Sequence, residues 1–133
     1  MFALQQYGDF AFLFLRIVVG AIFIVHGISK WEMWKMQPSE QMPSSLLTKM
    51  RILSIAESLG GLAVLFGFLT QFAAFGLAII MLGAMDFKIR TLKRSFVDNA
   101  GGWELDLILF ASLIALVVFG SGVLAIDALL LFV

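Results

Sequence analysis

The chain has 133 residues, enough for one domain, and 62% of them are hydrophobic, with a mean hydropathy of +1.04. Soluble domains are about 45–50% apolar, and a chain this short exposes too much surface to hide such an excess from water, so composition points to an integral membrane protein. Nine basic side chains balance nine acidic ones, so overall charge says nothing about partners and the basic run Lys88–Arg94 calls for anionic lipid, not nucleic acid; with no cysteine the chain has no disulfide, thiolate metal site or CxxC relay of its own.

Four apolar segments follow in chain order. The first runs over about 10–29; its N-terminal flank lacks both a basic n-region and a small-residue cleavage site, so it is expected to be a retained anchor. A polar loop then carries Pro38 and Pro43, after which Ser44 or Ser45 is placed to cap the next helix. The second segment covers about 52–69 and the third about 72–89. Thr70-Gln71 is the polar break between them, which predicts a tight antiparallel hairpin. The fourth covers about 103–119 and is stopped by Gly120-Ser121-Gly122. A span needs roughly 17–25 helical residues, so the second and fourth are near the short end. The remaining tail is too short to cross and carries Asp127. The expected fold is therefore all-α: a four-helix integral membrane bundle with a short C-terminal interfacial helix.

Charge asymmetry sets the expected orientation. Lys30, Lys35, Lys49 and Arg51 belong to the first loop, and Lys88, Arg90, Lys93 and Arg94 to the third; the second loop has none. The positive-inside rule makes that side cytoplasmic and puts both termini outside. The predicted location is the inner membrane. Trp31, Trp34 and Trp103 fall at the same boundary, where aromatic belts lie.

At about 100° per residue, Arg16, Gly20, Phe23, His26, Gly27 and Lys30 share one arc of the first helix, and Glu57, Gly60, Gly61, Val64 and Gly67 share one arc of the second. Small residues let membrane helices approach closely and charged groups in spans face the bundle, so both stripes are expected inside. Gly76 and Gly83, seven apart, share a face of the third helix. On the fourth, Glu104 shares a face with Ala111 and Ala115, and the small-residue rule places it inward, with Asp106 on the other side near the headgroups.

A carboxylate in a span, ionised and unpaired, costs roughly 2.5–3.5 kcal/mol on insertion scales. Glu57 is therefore expected to be protonated or paired with His26, Lys30 or Arg16. Arg16 lies about 21 Å from Lys30 along the helix, so Asp9 and Asp127 are nearer candidates for it. His26 has the chemistry of a proton carrier near neutral pH. It is a lone histidine, which argues against a metal site. No nucleotide, Walker or nucleophile-elbow motif is present. The candidate ligand-binding set is Arg16, His26, Lys30, Glu57 and Glu104, with Gly20, Gly27, Gly60, Gly61 and Gly67 as packing positions.

The stretches "LRIVVGAIFIVHGISKW" (15–31), "AESLGGLAVLFGFLTQFAAFGLAIIMLGA" (56–84) and "GGWELDLILFASLIALVVFGSGVLAIDALL" (101–130) resemble the DoxX family of membrane proteins. The matching positions are Arg16, His26, Gly27, Lys30, Glu57, Gly60, Gly61, Gly102, Glu104 and Asp127. Members often carry a histidine after the third helix; "MDFKIRTLKRSF" has none here. The resemblance implies a four-helix inner-membrane bundle associated with oxidoreduction. Its namesake is a subunit of a thiosulfate:quinone oxidoreductase, and relatives are linked to complexes that answer thiol or oxidative stress. Two classes of function follow. One is a redox-associated subunit that binds a quinone or small solute in a buried polar site, has no intrinsic cofactor and draws electrons from a soluble partner. The other is non-catalytic: a scaffold for a redox enzyme at the cytoplasmic face, a small transporter or channel, or a homo-oligomer packed through glycine faces.

Overall fold

Helices form along the apolar runs, glycines within them included, and none of them contains a proline. The computed structural model describes residues 4–40 and 42–131. Among them are five α-helices and no strand: α1 (Gly8–Ser29), α2 (Ser44–Phe66), α3 (Thr70–Asp86), α4 (Glu104–Phe119) and the short α5 (Ile126–Leu131). A 3-10 turn over Lys30–Trp34 prolongs α1, and a π-turn over Phe87–Thr91 prolongs α3, closed by the Leu92 amide on the Phe87 carbonyl at 3.1 Å. With these extensions Gly8–Trp34 and Thr70–Thr91 are long and apolar enough to cross a bilayer. The 16 residues of α4 reach about 24 Å, short of a hydrocarbon core of about 30 Å.

Two boundaries differ from the sequence expectation. Helix α2 begins at Ser44, eight residues before the apolar run (52 − 44), because nothing after Pro43 interrupts it. Pro43 holds the extended entry (φ −60°, ψ 154°), and neither serine makes a capping hydrogen bond. The hairpin turn is Gly67–Leu69 rather than Thr70-Gln71. Gly67 takes a left-handed conformation (φ 69°, ψ 41°) that costs a side-chain-bearing residue energy, and the amides of Gly67 and Phe68 close α2 on the Val64 and Ala63 carbonyls. Thr70 already belongs to α3.

The helices pack as two antiparallel pairs. Between α1 and α2 the backbones almost touch: a Cβ on Gly20 would lie 2.7 Å from the Gly61 carbonyl oxygen, and one on Gly27 would lie 2.8 Å from that of Ser54. Between α3 and α4 the fit is of small into large. Ala74 and Ala78 of α3 share one core with Leu109, Leu113 and Leu116 of α4, and Val19, Phe23 and Val64 join the two pairs. Of the neighbouring helices, α1 and α4 touch least, and a lateral groove lies between them. The outside is apolar, with Phe14, Phe72 and Phe119 each at least 70% exposed. Such a surface suits acyl chains, not water.

Candidate functional site: ion pairs and grooves at the Lys30 end

The two helix pairs repeat one device. In each, a lysine just past the C-terminus of the first helix reaches a buried acid on the second. Lys30 donates to Glu57 Oε2; Glu57 is 2% exposed and the Lys30 side chain 26%. Lys88 Nζ lies 2.7 Å from Asp106 Oδ2, in contact but off the hydrogen-bond direction, and donates instead to the Gly102 carbonyl at 2.9 Å. Both pairs sit at the end of the bundle where α1 and α3 finish and α4 starts. Each lysine keeps its stem along apolar surface and its head where an acid waits.

Asp106, not Glu104, is thus the inward acid of α4. It is 5% exposed and in register with Leu109, Leu113 and Leu116. The small-residue rule misleads here because the small partners lie across the interface, on α3, while Ala111 faces out. Glu104 is half-buried against Gly102, and its Oε2 has no hydrogen-bond partner among the described residues.

His26 makes no side-chain hydrogen bond to Glu57 or Lys30. It lines a groove of about 330 Å³ with Ala21, Ile22 and Val25 of α1 and Leu105 of α4. The groove is almost wholly apolar and opens to the lipid-facing surface, and His26 is the one lining residue with a polar side chain. On the α2 side, Ser54 and Ser58 are buried in the glycine seam. Ser54 accepts from the Trp34 indole at 3.1 Å, and Ser58 donates to the Ser54 carbonyl at 2.8 Å.

Arg16 belongs to the opposite end. Its guanidinium, in a residue 1% exposed, donates through Nη2 to the Leu124 carbonyl, while Nε and Nη1 have no partner among the described residues. It pairs neither with Glu57 nor, at ion-pair distance, with Asp9 or Asp127. The space it fills exists because Gly67 has no side chain: a Cβ there would lie 1.8 Å from Nη1. Gly60 packs against Leu77 of α3, so the five packing glycines divide among three tasks. Gly76 and Gly83 approach nothing within 4 Å.

Asp127 has a role that local sequence does not reveal. Its carboxylate accepts from the amides of Leu69 (2.6 Å) and Thr70 (2.9 Å) and from the Thr70 hydroxyl (2.7 Å), capping α3. Its own amide donates to the Gly67 carbonyl at 2.8 Å. Asp9 similarly accepts from the Val123 amide at 3.1 Å. The basic run after α3 is largely neutralised locally: Arg90 lies 2.6 Å from Asp86 and Arg94 3.2 Å from Asp98. The Ala100 amide, with Arg94 helping, holds the Asp98 carboxyl below the usual range. Lys93, at φ 50°, is in no ion pair among the described residues. No group of three His, Asp or Glu side chains among them is placed to hold a metal ion.

Comparison with known proteins identifies the family. Residues 11–90 match the DoxX family. A Bacillus subtilis (strain 168) protein described as "Putative oxidoreductase CatD" is 33% identical over 121 residues, covering 86% of this chain and 83% of that one. An "Uncharacterized protein" of Haemophilus influenzae (strain ATCC 51907 / DSM 11121 / KW20 / Rd) is 28% identical over 125 residues, covering 93% of each. No solved structure matches. The family match over more than half the chain and the relative aligned along most of its length lead to one conclusion: the protein belongs to the membrane-associated DoxX family.

Proposed function

We propose that the protein is a redox-associated, four-span inner-membrane subunit that binds a quinone in the groove between α1 and α4. Family membership and the oxidoreductase description of the Bacillus relative support the redox association. The observation that carries the quinone is the groove itself: an apolar, laterally open slot lined in part by the chain's single histidine. A prenyl tail would lie along Ala21, Ile22, Val25 and Leu105. The quinone carbonyl would accept from the His26 imidazole, which can deliver a proton as the oxygen gains electron density. The Lys30–Glu57 pair fixes the end of α1 one turn beyond His26 and so sets the ring's position.

The chain has no flavin, haem or cluster motif, so electrons would come from a soluble partner. That partner would dock at the basic end, and Lys93 is the cation of the Lys88–Arg94 run that stays free to meet it. Lys93→Glu is then expected to weaken co-purification of a cytoplasmic redox protein without altering the fold.

The direct test is menaquinone or ubiquinone binding to the purified protein. His26→Ala should weaken binding about tenfold, the worth of one lost hydrogen bond of about 1.4 kcal/mol. Glu57→Gln should weaken it less. Affinities unchanged in both variants would end the proposal.

A further inference from the structure

At the same end of the bundle, on the α2 side of α1, lies a second cavity of about 450 Å³ that the quinone reading does not use. It is lined by Trp31, Glu32 and Trp34 of the 3-10 turn, by Lys35 that caps it and by Ile55 of α2. In a 3-10 helix, side chains three apart eclipse one another. Trp31 and Trp34 therefore share one lane of the turn, and Glu32 and Lys35 the next. The turn presents an aromatic strip beside a strip bearing one negative and one positive charge.

Two further features make this a formed surface. Trp34 is held in place: its indole N–H donates to buried Ser54 at 3.1 Å, and the Arg51 guanidinium lies 5.8 Å from its ring centroid. Arg51 in turn donates to the Met33 and Met36 carbonyls at 3.0 and 2.9 Å, tying the turn to α2. Glu32 and Lys35, by contrast, are uncommitted. Their backbones are joined by the Lys35 amide on the Glu32 carbonyl at 3.0 Å, but neither side chain is in an ion pair or hydrogen bond among the described residues. Both tryptophans are about half exposed.

We infer that this cavity binds the headgroup of a zwitterionic aminophospholipid, phosphatidylethanolamine. The primary ammonium is matched by the Glu32 carboxylate and the face of Trp31, where a cation is attracted to the ring. The phosphate is matched by Lys35. The acyl chains continue past Ile55 along the apolar flank of α2. An anionic lipid satisfies Lys35 and is repelled by Glu32. A choline headgroup meets the ring but has no N–H to donate to the carboxylate. The site follows from the turn immediately after α1, where interfacial tryptophans belong, and it stands whether or not a quinone binds in the α1–α4 groove.

Tryptophan fluorescence gives the test. The protein is reconstituted in phosphatidylcholine vesicles containing equal mole fractions of either phosphatidylethanolamine or phosphatidylglycerol, brominated on the acyl carbons nearest the glycerol. Brominated phosphatidylethanolamine should quench about twofold more effectively than the phosphatidylglycerol. Glu32→Gln should remove that preference, whereas Lys35→Gln should weaken quenching by both lipids. Both positions are exposed, so the fold is kept, and Trp103 supplies the same background in every variant. Equal quenching by the two lipids, stronger quenching by phosphatidylglycerol, a preference that survives Glu32→Gln, or quenching unchanged in Lys35→Gln would overturn the assignment.

Discussion

The Lys30–Glu57 pair is asymmetric in a way that its variants should report. Lys30 has a flexible stem and is a quarter exposed, so without its partner it can turn to the headgroups. Glu57 has no such exit. Lys30→Met should therefore cost about 2–3 kcal/mol, as a buried charge loses its counterion, whereas Glu57→Gln should cost about 1 kcal/mol. The double variant should recover most of the loss. Thermal unfolding in detergent measures all three, and equal costs for the two single variants would contradict the burial difference. Gly27 and Gly76 make a second contrast. A methyl on Gly27 would lie 2.7 Å from the Ser58 amide nitrogen, a backbone atom that cannot swing aside, whereas Gly76 has open space around it. Gly27→Ala is expected to lose about 1–3 kcal/mol through the forced separation of α1 and α2. Gly76→Ala should be neutral or slightly stabilising.

At the scale of elements, periodicity and turn chemistry made much legible. The apolar runs locate α1 and α4 within two residues and α3 within three, and Gly120–Gly122 ends α4 where its glycines predict. The stripe of Gly20, Gly27, Gly60 and Gly61 beside Glu57 could be seen from 100° steps alone. What could not be seen was non-local. The start of α3 looked like a polar break because its capping carboxylate is 57 residues away. The inward face of α4 was misassigned because its small-residue complement lies on another helix. The separation of His26 from Glu57 depends on how α1 is rotated against α2, which no single-helix wheel contains. The capping claim has its own check. Asp127→Ala should lower stability by about 0.5–2 kcal/mol, the usual worth of a helix cap. It should also speed amide exchange at Leu69 and Thr70 while leaving the Glu57 region unchanged. Exchange at those amides equal to wild type would show that the carboxylate is not their partner.

For the molecule as a whole, the short α4 makes bilayer thickness a variable. If all four helices span, as proposed, a helix of about 24 Å favours a thin hydrocarbon core, at fractions of a kcal/mol per Å of mismatch. The protein should melt higher in nanodiscs of lipids with 14-carbon chains than with 22-carbon chains; the opposite order would argue that α4 does not cross. The absence of cysteine makes the orientation directly measurable. Single cysteines introduced at Tyr7 and at Gln37 should label from opposite sides of the membrane, Tyr7 from outside.

The cap on α3 has a further consequence in time. Asp127 is translated 57 residues after Thr70, so at roughly 5–20 residues per second the ribosome delivers it about 3–11 s after the helix it closes. During that interval the amides at the head of α3 have no carboxylate, and the Arg16 guanidinium has no Leu124 carbonyl. The nascent protein stays unlatched at its far rim until its closing segment arrives, which leaves a window in which an insertion chaperone could hold the half-made bundle.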